Sequence, residues 1–252
     1  MMSNTLSVIT QGLSGDGPLD TATSKSILDA VGRGDVGETL EVGTPHRVLA
    51  FGKHDATSPG FAAAVTSASE RGFEPTVRIA GGRAAVFHEH TVRFGWTMPV
   101  ADPAATMHER FATLANAVVD ALAELGVAAT IGEVPGEYCP GKYSVQVSGR
   151  KVMGVGQRLT RAAAYVGGVV VLDRADTIND VLSPVYGHLD IPFNPAATGA
   201  LSDVKSVSAD EFSRVLAIMI ADGKAIEPAT VSDATHTAAL SLRDDHDPLS
   251  LA

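Results

Sequence analysis

The sequence predicts an α+β fold with mixed, largely antiparallel sheets flanked by helices, and three observations carry that reading. Strand-like and helix-like segments follow one another in no strict strand–helix–strand order, which disfavours a doubly wound parallel sheet. YSVQVSGRKVMGV reads as a hairpin, with Val145 and Val147 alternating, SGR turning and Val152 resuming. The glycines of RIAGGRAAVF and GVGQRL match neither GxGxxG nor GxxxxGK(S/T), so dinucleotide and P-loop layouts are unsupported.

Along the chain, SKSILDAVGRG (24–34) predicts a short amphipathic helix closed by glycine. RVLAF (47–51) is a compact apolar strand, and GKHDATSPG after it is a loop running into the helix of GFAAAVTSASERG. TVRIA (76–80) and AAVFH (84–88) read as two strands flanking a glycine pair. MHERFATLANAVVDALAELG (107–126) gives the strongest helical signal: Phe111, Leu114, Ala115, Val118, Leu122 and Leu125 recur at helical spacing, and Gly126 stops the run. YVGGVVVLD (165–173) is continuously apolar, as a strand buried on both faces is. SADEFSRVLAIMIADG (208–223) opens with a Ser208/Glu211 capping box and buries Phe212, Val215, Leu216, Met219 and Ile220. No internal repeat or splitting linker is present, so residues 1–252 are read as one catalytic-type domain. Its core covers about 20–226, and the aperiodic tail, about 227–252, is read as loosely attached.

Composition bounds the function. The 252 residues suffice for a real core, and 45% hydrophobic with 19% charged residues is ordinary for a folded enzyme. A formal net charge of −10 argues against nucleic-acid binding. One cysteine makes no internal disulfide, which points to a reducing, cytoplasmic setting. No apolar run reaches membrane-spanning length, and MMSNTLSVITQG has neither a basic nor an apolar leader region.

That single cysteine raises the chemical question. A thiol attacks as thiolate, and a nearby ammonium favours that form. Cys139 precedes a Pro-Gly turn, and Lys151 lies on the returning strand of the predicted hairpin, which would bring the pair together. On spacing alone, a small buried cysteine and a solvated lysine are the plainer reading.

YCPGKYSVQVSGRKVMGVGQR, however, resembles the signature of the lipoate-protein ligase and octanoyltransferase superfamily, which also includes biotin ligases. YCPGxY followed by G-(R/K)-K-hydrophobic-x-G-x-x-Q-R is similar to its cysteine-dependent octanoyl-transferring branch. RIAGGRAAVFH resembles that branch's R-x-S-G-G-L-A-V, with Ala80 for Ser and Arg83 for Leu. The resemblance covers roughly residues 45 to 175. It implies a biotinyl/lipoyl-transferase catalytic domain fold and an acyltransferase moving an octanoyl or lipoyl group onto a lysine of a lipoyl domain. Cys139 would carry the acyl group as a thioester. Lys151 would contact the acyl carbonyl and tune the thiol. Arg78, Gly81 and Gly82 would line the acyl pocket, Gly154 and Gln157 would face the acyl head group, and His54 would lie on a substrate loop. The implied partners are lipoyl domains of 2-oxoacid dehydrogenase E2 subunits and the glycine cleavage H protein. No cofactor is expected, with ATP needed only on a ligase reading.

Three alternatives stand beside this. An ATP-dependent lipoate or octanoate ligase more often carries three glycines and an accessory domain, and neither is visible here. A non-catalytic lipoyl-domain binder would keep Cys139 with an ordinary thiol. Biotin-protein ligation shares the fold but wants a GRGRxG-type loop, which is missing. No metal site is expected: HEH (88–90) reads as a solvated turn and DDHD (244–247) as a solvated acidic tail, while Phe94 and Trp96 read as core. The identity of the acyl group, the donor, the acceptor and the oligomeric state are not encoded in any of these patterns.

Overall fold

The computed structural model describes residues 4–10 and 14–250. Strand β1 (Thr5–Ile9) leads to helix α1 (Gly17–Arg33), β2 (Thr39–Gly43) and β3 (Val48–Phe51). Helix α2 (Phe61–Glu70) is followed by β4 (Glu74–Val77), β5 (Ala85–Phe87), β6 (Thr91–Pro99) and α3 (Met107–Glu124). Then come β7 (Thr130–Ile131), β8 (Val145–Val147), β9 (Arg150–Leu159), β10 (Ala163–Val171) and α4 (Ala175–His188). The chain closes with α5 (Ala209–Ala221), β11 (Ala225–Pro228), α6 (Asp233–Leu242) and a 3-10 turn over Arg243–His246.

Eight strands form one sheet in the order β11-β1-β2-β6-β10-β9-β8-β7, and β4-β3-β5 form a second. From β2 to β7 the pairing is antiparallel, whereas β1 pairs in parallel with both β2 and β11, and β3 with β4. This is the mixed, largely antiparallel α+β arrangement expected. β10 lies between β6 and β9, so Val166, Val169 and Val170 are buried, as a continuous apolar run requires. Helices α3 and α5 bury Leu114, Val118, Leu122, Phe212 and Leu216 in one core that includes Phe94 and Trp96. Helices α2 and α4 pack with the small sheet in a second core. The hairpin turn places Ser148 and Gly149 at φ 51 and 76, both left-handed, which the two-residue turn demands.

Two element limits need correction. The first helix begins at Gly17 instead of 24, because Asp16 caps it through Leu19 N–H and Pro18 fits its first turn. The TVRIA strand ends at Val77; Arg78 N–H still donates to Phe51 O at 3.0 Å, and beyond it Gly81 N–H donates to Gln157 O at 3.2 Å. Both changes bear on the site.

The tail is not loosely attached. β11 extends the large sheet beside β1, with Thr5 opposite Ala225. Helix α6 is capped by Ser232 and lies against α1. Within DDHD, Asp244 and Asp245 are exposed as read, but His246 is buried with Nδ1 2.7 Å from Val77 O, and Arg243 pairs with Asp16, Asp244 and Asp247. β11 supplies the open edge of β1 with hydrogen bonds. A ten-residue helix rich in Ala and Thr carries too little periodic signal to be seen in the sequence.

Candidate active site

The loop between β7 and β8 carries Cys139 at φ 42, a left-handed conformation that is uncommon outside glycine. Its backbone N–H donates to Tyr186 Oη at 2.8 Å, and that hydroxyl donates to Ala84 O at 3.0 Å. A tyrosine on α4 therefore ties the cysteine loop to the start of β5. The sulfur faces the loop that leaves β4. Arg78 Nη2 lies 3.3 Å from Cys139 Sγ and Arg83 N–H lies 3.2 Å from it. Burial pushes the thiol up, but the Arg78 and Lys151 charges and the two N–H donors outweigh burial and hold it below its ordinary value.

Lys151 is fully buried, where spacing alone read a solvated lysine. Its Nζ donates to Tyr138 O at 2.8 Å, Cys139 O at 2.9 Å and Glu137 Oε1 at 3.1 Å. An ammonium has three N–H donors, so all are engaged by the loop's oxygens. Lys151 fixes the loop and lends its charge to the thiolate, but it does not hydrogen-bond the sulfur. Desolvation lowers the Lys151 pKa, opposed by Cys139 and Glu137. Glu137 is satisfied as well, accepting from Val134 N, Gly141 N and Ser144 Oγ.

Gly82 lies beside the thiol. Its φ is +101, and a Cβ there would sit 2.7 Å from Cys139 Sγ and 2.4 Å from Arg78 Nη2. Gly81 borders open space, and a Cβ on Gly154 would stand 3.2 Å from Lys151 Cε. Two further residues are engaged elsewhere. The Gln157 amide is taken up in the scaffold, where Oε1 accepts from Arg110 Nε at 2.9 Å and Nε2 donates to Met107 O at 3.0 Å. His54 is exposed, and its carbonyl accepts from Thr57 Oγ1. The buried member of that loop is its neighbour, Asp55.

Asp55 is buried, accepts from Gly52 N–H, and pairs with Arg83 Nη1 at 3.1 Å. Arg83, the residue that departs from the resembling motif, thus anchors the loop whose backbone N–H faces the sulfur. Glu137 lies two residues before the cysteine, in EYCPGKY, so its proximity is a local signal. Asp55 and Tyr186 lie far away in sequence, where no local pattern marks them. Of the two histidines of HEH, His88 is buried and its Nδ1 accepts from His90 N–H.

Arg78 also opens onto a cavity between α1 and the two sheets, walled by Val48, Ala50, Ile79, Ala80 and Phe87. The centre therefore combines a polarised thiol, two N–H donors aimed at it, and an adjacent partly apolar cavity. That set suits a thiolate nucleophile beside an apolar pocket, since the donors that point at the sulfur favour its charged form.

Comparison with known proteins matches the model of the lipoyl protein ligase A/B catalytic domain to residues 17–216. An octanoyl-GcvH:protein N-octanoyltransferase of Geobacillus kaustophilus is 26% identical over 160 residues, covering 62% of this chain and 55% of that protein. A lipoyl-GcvH:protein N-lipoyltransferase of Listeria monocytogenes is 22% identical over 195 residues, covering 73% and 69%. The chain thus spans little more than half the length of the first of these relatives. Among solved structures, lipoate-protein ligase A bound with ATP superposes with a TM-score of 0.78 at 20% identity, covering 97% of this chain and 95% of that one. A bipartite lipoate protein ligase from Thermoplasma acidophilum gives 0.69 at 18% identity, covering 97% and 92%. These likenesses establish the fold.

Proposed function

The chain belongs to the lipoyl protein ligase A/B catalytic domain family, and from that membership and the thiol's surroundings we propose that it is a protein acyltransferase working through a Cys139 thioester. The observation that carries this reading is the Cys139 sulfur held between Arg78 Nη2 and Arg83 N–H. In the first step the thiolate attacks the carbonyl of an acylated donor. The acyl–nitrogen bond breaks and the donor lysine leaves as an amine after taking up a proton. In the second, an acceptor lysine amine attacks the thioester carbonyl, a new amide forms and the thiolate is regenerated.

The donor and acceptor we propose are the H protein of glycine cleavage and the lipoyl domains of 2-oxoacid dehydrogenases. The curated relatives act on the former by name. Neither step draws on ATP or a metal, and a reducing compartment such as the cytoplasm keeps the thiol available; no described helix is long and apolar enough to cross a membrane. Arg158 and Arg161 on the β9–β10 rim are proposed to meet the acidic carrier, and reversing both charges is expected to slow transfer to lipoyl domain without altering Cys139 loading.

Intact-protein mass spectrometry after mixing with octanoylated H protein, without ATP, tests the chemistry. The expected result is one octanoyl mass, removed by hydroxylamine and absent from Cys139→Ala. Acceptor modification that requires ATP and free acid would replace this reading with ligation. No modification under either condition would leave a non-catalytic binder.

A further inference from the structure

The peptide that joins Tyr138 to Cys139 is gripped at both ends by side chains from outside its loop. Its carbonyl accepts from Lys151 Nζ at 2.8 Å, and its N–H donates to Tyr186 Oη at 2.8 Å. A non-glycine residue at φ 42 is strained, and such a conformation persists only where its surroundings fix it. The donors that face the sulfur belong to a different loop. Arg83 N–H lies 3.2 Å from Cys139 Sγ across 56 residues of sequence, and Arg78 Nη2 reaches both the sulfur and Arg83 O, the latter at 2.7 Å.

One hydroxyl spans the two loops. Tyr186 Oη accepts from the cysteine's own N–H and donates to Ala84 O at 3.0 Å, one residue past the amide that points at the sulfur. A phenol can accept and donate at once, so both bonds are made together. Tyr186 is fully buried on α4 with its ring 5.4 Å from that of Phe193, which makes its hydroxyl a fixed point. Burial also holds its pKa well above the ordinary value, so the phenol keeps its proton while the thiol titrates. The far side of the 82–84 segment is fixed independently. A Cβ on Gly52 would lie 1.8 Å from Gly82 O, and Asp55 holds Arg83 Nη1 at 3.1 Å. With that segment fixed from behind, Tyr186 governs where the cysteine's backbone stands relative to it.

Building on the acyltransferase reading, we propose that Tyr186 is a positioning residue of the thiol centre: its hydroxyl sets the gap between Cys139 Sγ and Arg83 N–H, and with it the reactivity of the thiol. Without that hydroxyl, Cys139 N–H and Ala84 O lose their common partner, the left-handed conformation relaxes, and the sulfur moves off the amide. A hydrogen bond to an ionised acceptor is strong enough for its loss to move an acidity by about one unit. The charged and titratable groups around the sulfur are Arg78, Lys151, Glu137 and Tyr138, with Asp55 behind Arg83. Tyr186→Phe changes the charge of none of them.

Alkylation of full-length Tyr186→Phe by iodoacetamide across pH tests this without requiring acyl transfer. It is run at a temperature where melting shows the variant folded, so a purely structural loss leaves the profile where it was. The expected profile lies about one unit above that of the wild type, with alkylation near neutral pH about tenfold slower. Loading by octanoylated H protein should slow at neutral pH and recover as pH is raised. Should Tyr186→Phe fail to fold, p-aminophenylalanine in place of Tyr186 serves the same measurement, because its amine still donates to Ala84 O but accepts poorly from Cys139 N–H. A profile that superimposes on the wild type's overturns the proposal. Loading of the wild type reports on the transferase reading alone. A shifted profile in a protein whose wild type never loads defeats only the transfer step, and wild-type loading with an unshifted profile defeats only the positioning role.

Discussion

Lys151 Nζ stands 2.9 Å from the carbonyl oxygen of Cys139, on the backbone side of a residue whose sulfur faces Arg78. The lysine holds the cysteine's loop in place, while the arginine and the Arg83 amide polarise the thiol. Two cations with separate tasks predict separable phenotypes.

Replacing Lys151 by Met should act first on stability. It leaves Glu137 buried opposite an apolar chain, and breaking a buried pair from one side costs about 3 kcal/mol. Urea unfolding should show this loss, and adding Glu137→Gln should restore part of it. A Lys151→Met protein as stable as the wild type would remove the lysine's anchoring role.

Arg78→Ala should act on the thiol while leaving the core intact. The Cys139 pKa is held below its ordinary value, so thiolate persists to lower pH than in a free cysteine. Without the guanidinium the alkylation profile with iodoacetamide should move to higher pH, slowing the neutral reaction by about tenfold per unit moved. Arg78→Lys should recover part of the shift, because charge is kept though geometry is not. An unchanged profile in Arg78→Ala would assign the thiol's acidity elsewhere.

Gly82→Ala places a methyl group 2.7 Å from Cys139 Sγ at a φ of +101. An L side chain at that φ is strained by about 1–2 kcal/mol before the contact with the sulfur is counted. Cys139 loading should fall by a larger factor than stability alone explains. Thermal melting run beside the loading assay separates the two effects.

His88 predicts a pH limit on folding. Burial lowers its pKa from 6.5 to about 4, so the folded protein resists protonating it. A depressed folded value means the contribution is complete above the unfolded value and is lost as pH falls toward and through the folded one, up to about 3 kcal/mol. Stability of the wild type should decline across that window, and His88→Gln should flatten the decline. The same slope in both proteins would place the acid sensitivity on the carboxylates.

Elements with their own period are legible in the amino-acid sequence. The spacing places helices α3 and α5 within three residues of their observed limits, because each repeats its buried face over several turns. The hairpin is legible from SGR, and with it the nearness of Cys139 to Lys151. The role of that lysine is not, since proximity does not say which atoms meet. Asp55 and Tyr186 carry no such signal because their partners lie 28 and 47 residues away. The docking of α6 and His246 is hidden for the same reason, as its contacts are with α1 and β4 at the opposite end of the chain.

By itself, then, the sequence determined the fold class and the hairpin that sets Cys139 near Lys151, because local turn chemistry and hydrophobic period act between near neighbours. Tertiary structure alone decided which cation touches the sulfur, what anchors Arg83, and what lines the cavity beyond Arg78. Each of those depends on side chains brought together from separate strands and helices, where hydrogen-bond geometry and burial select the partner and sequence spacing carries no information.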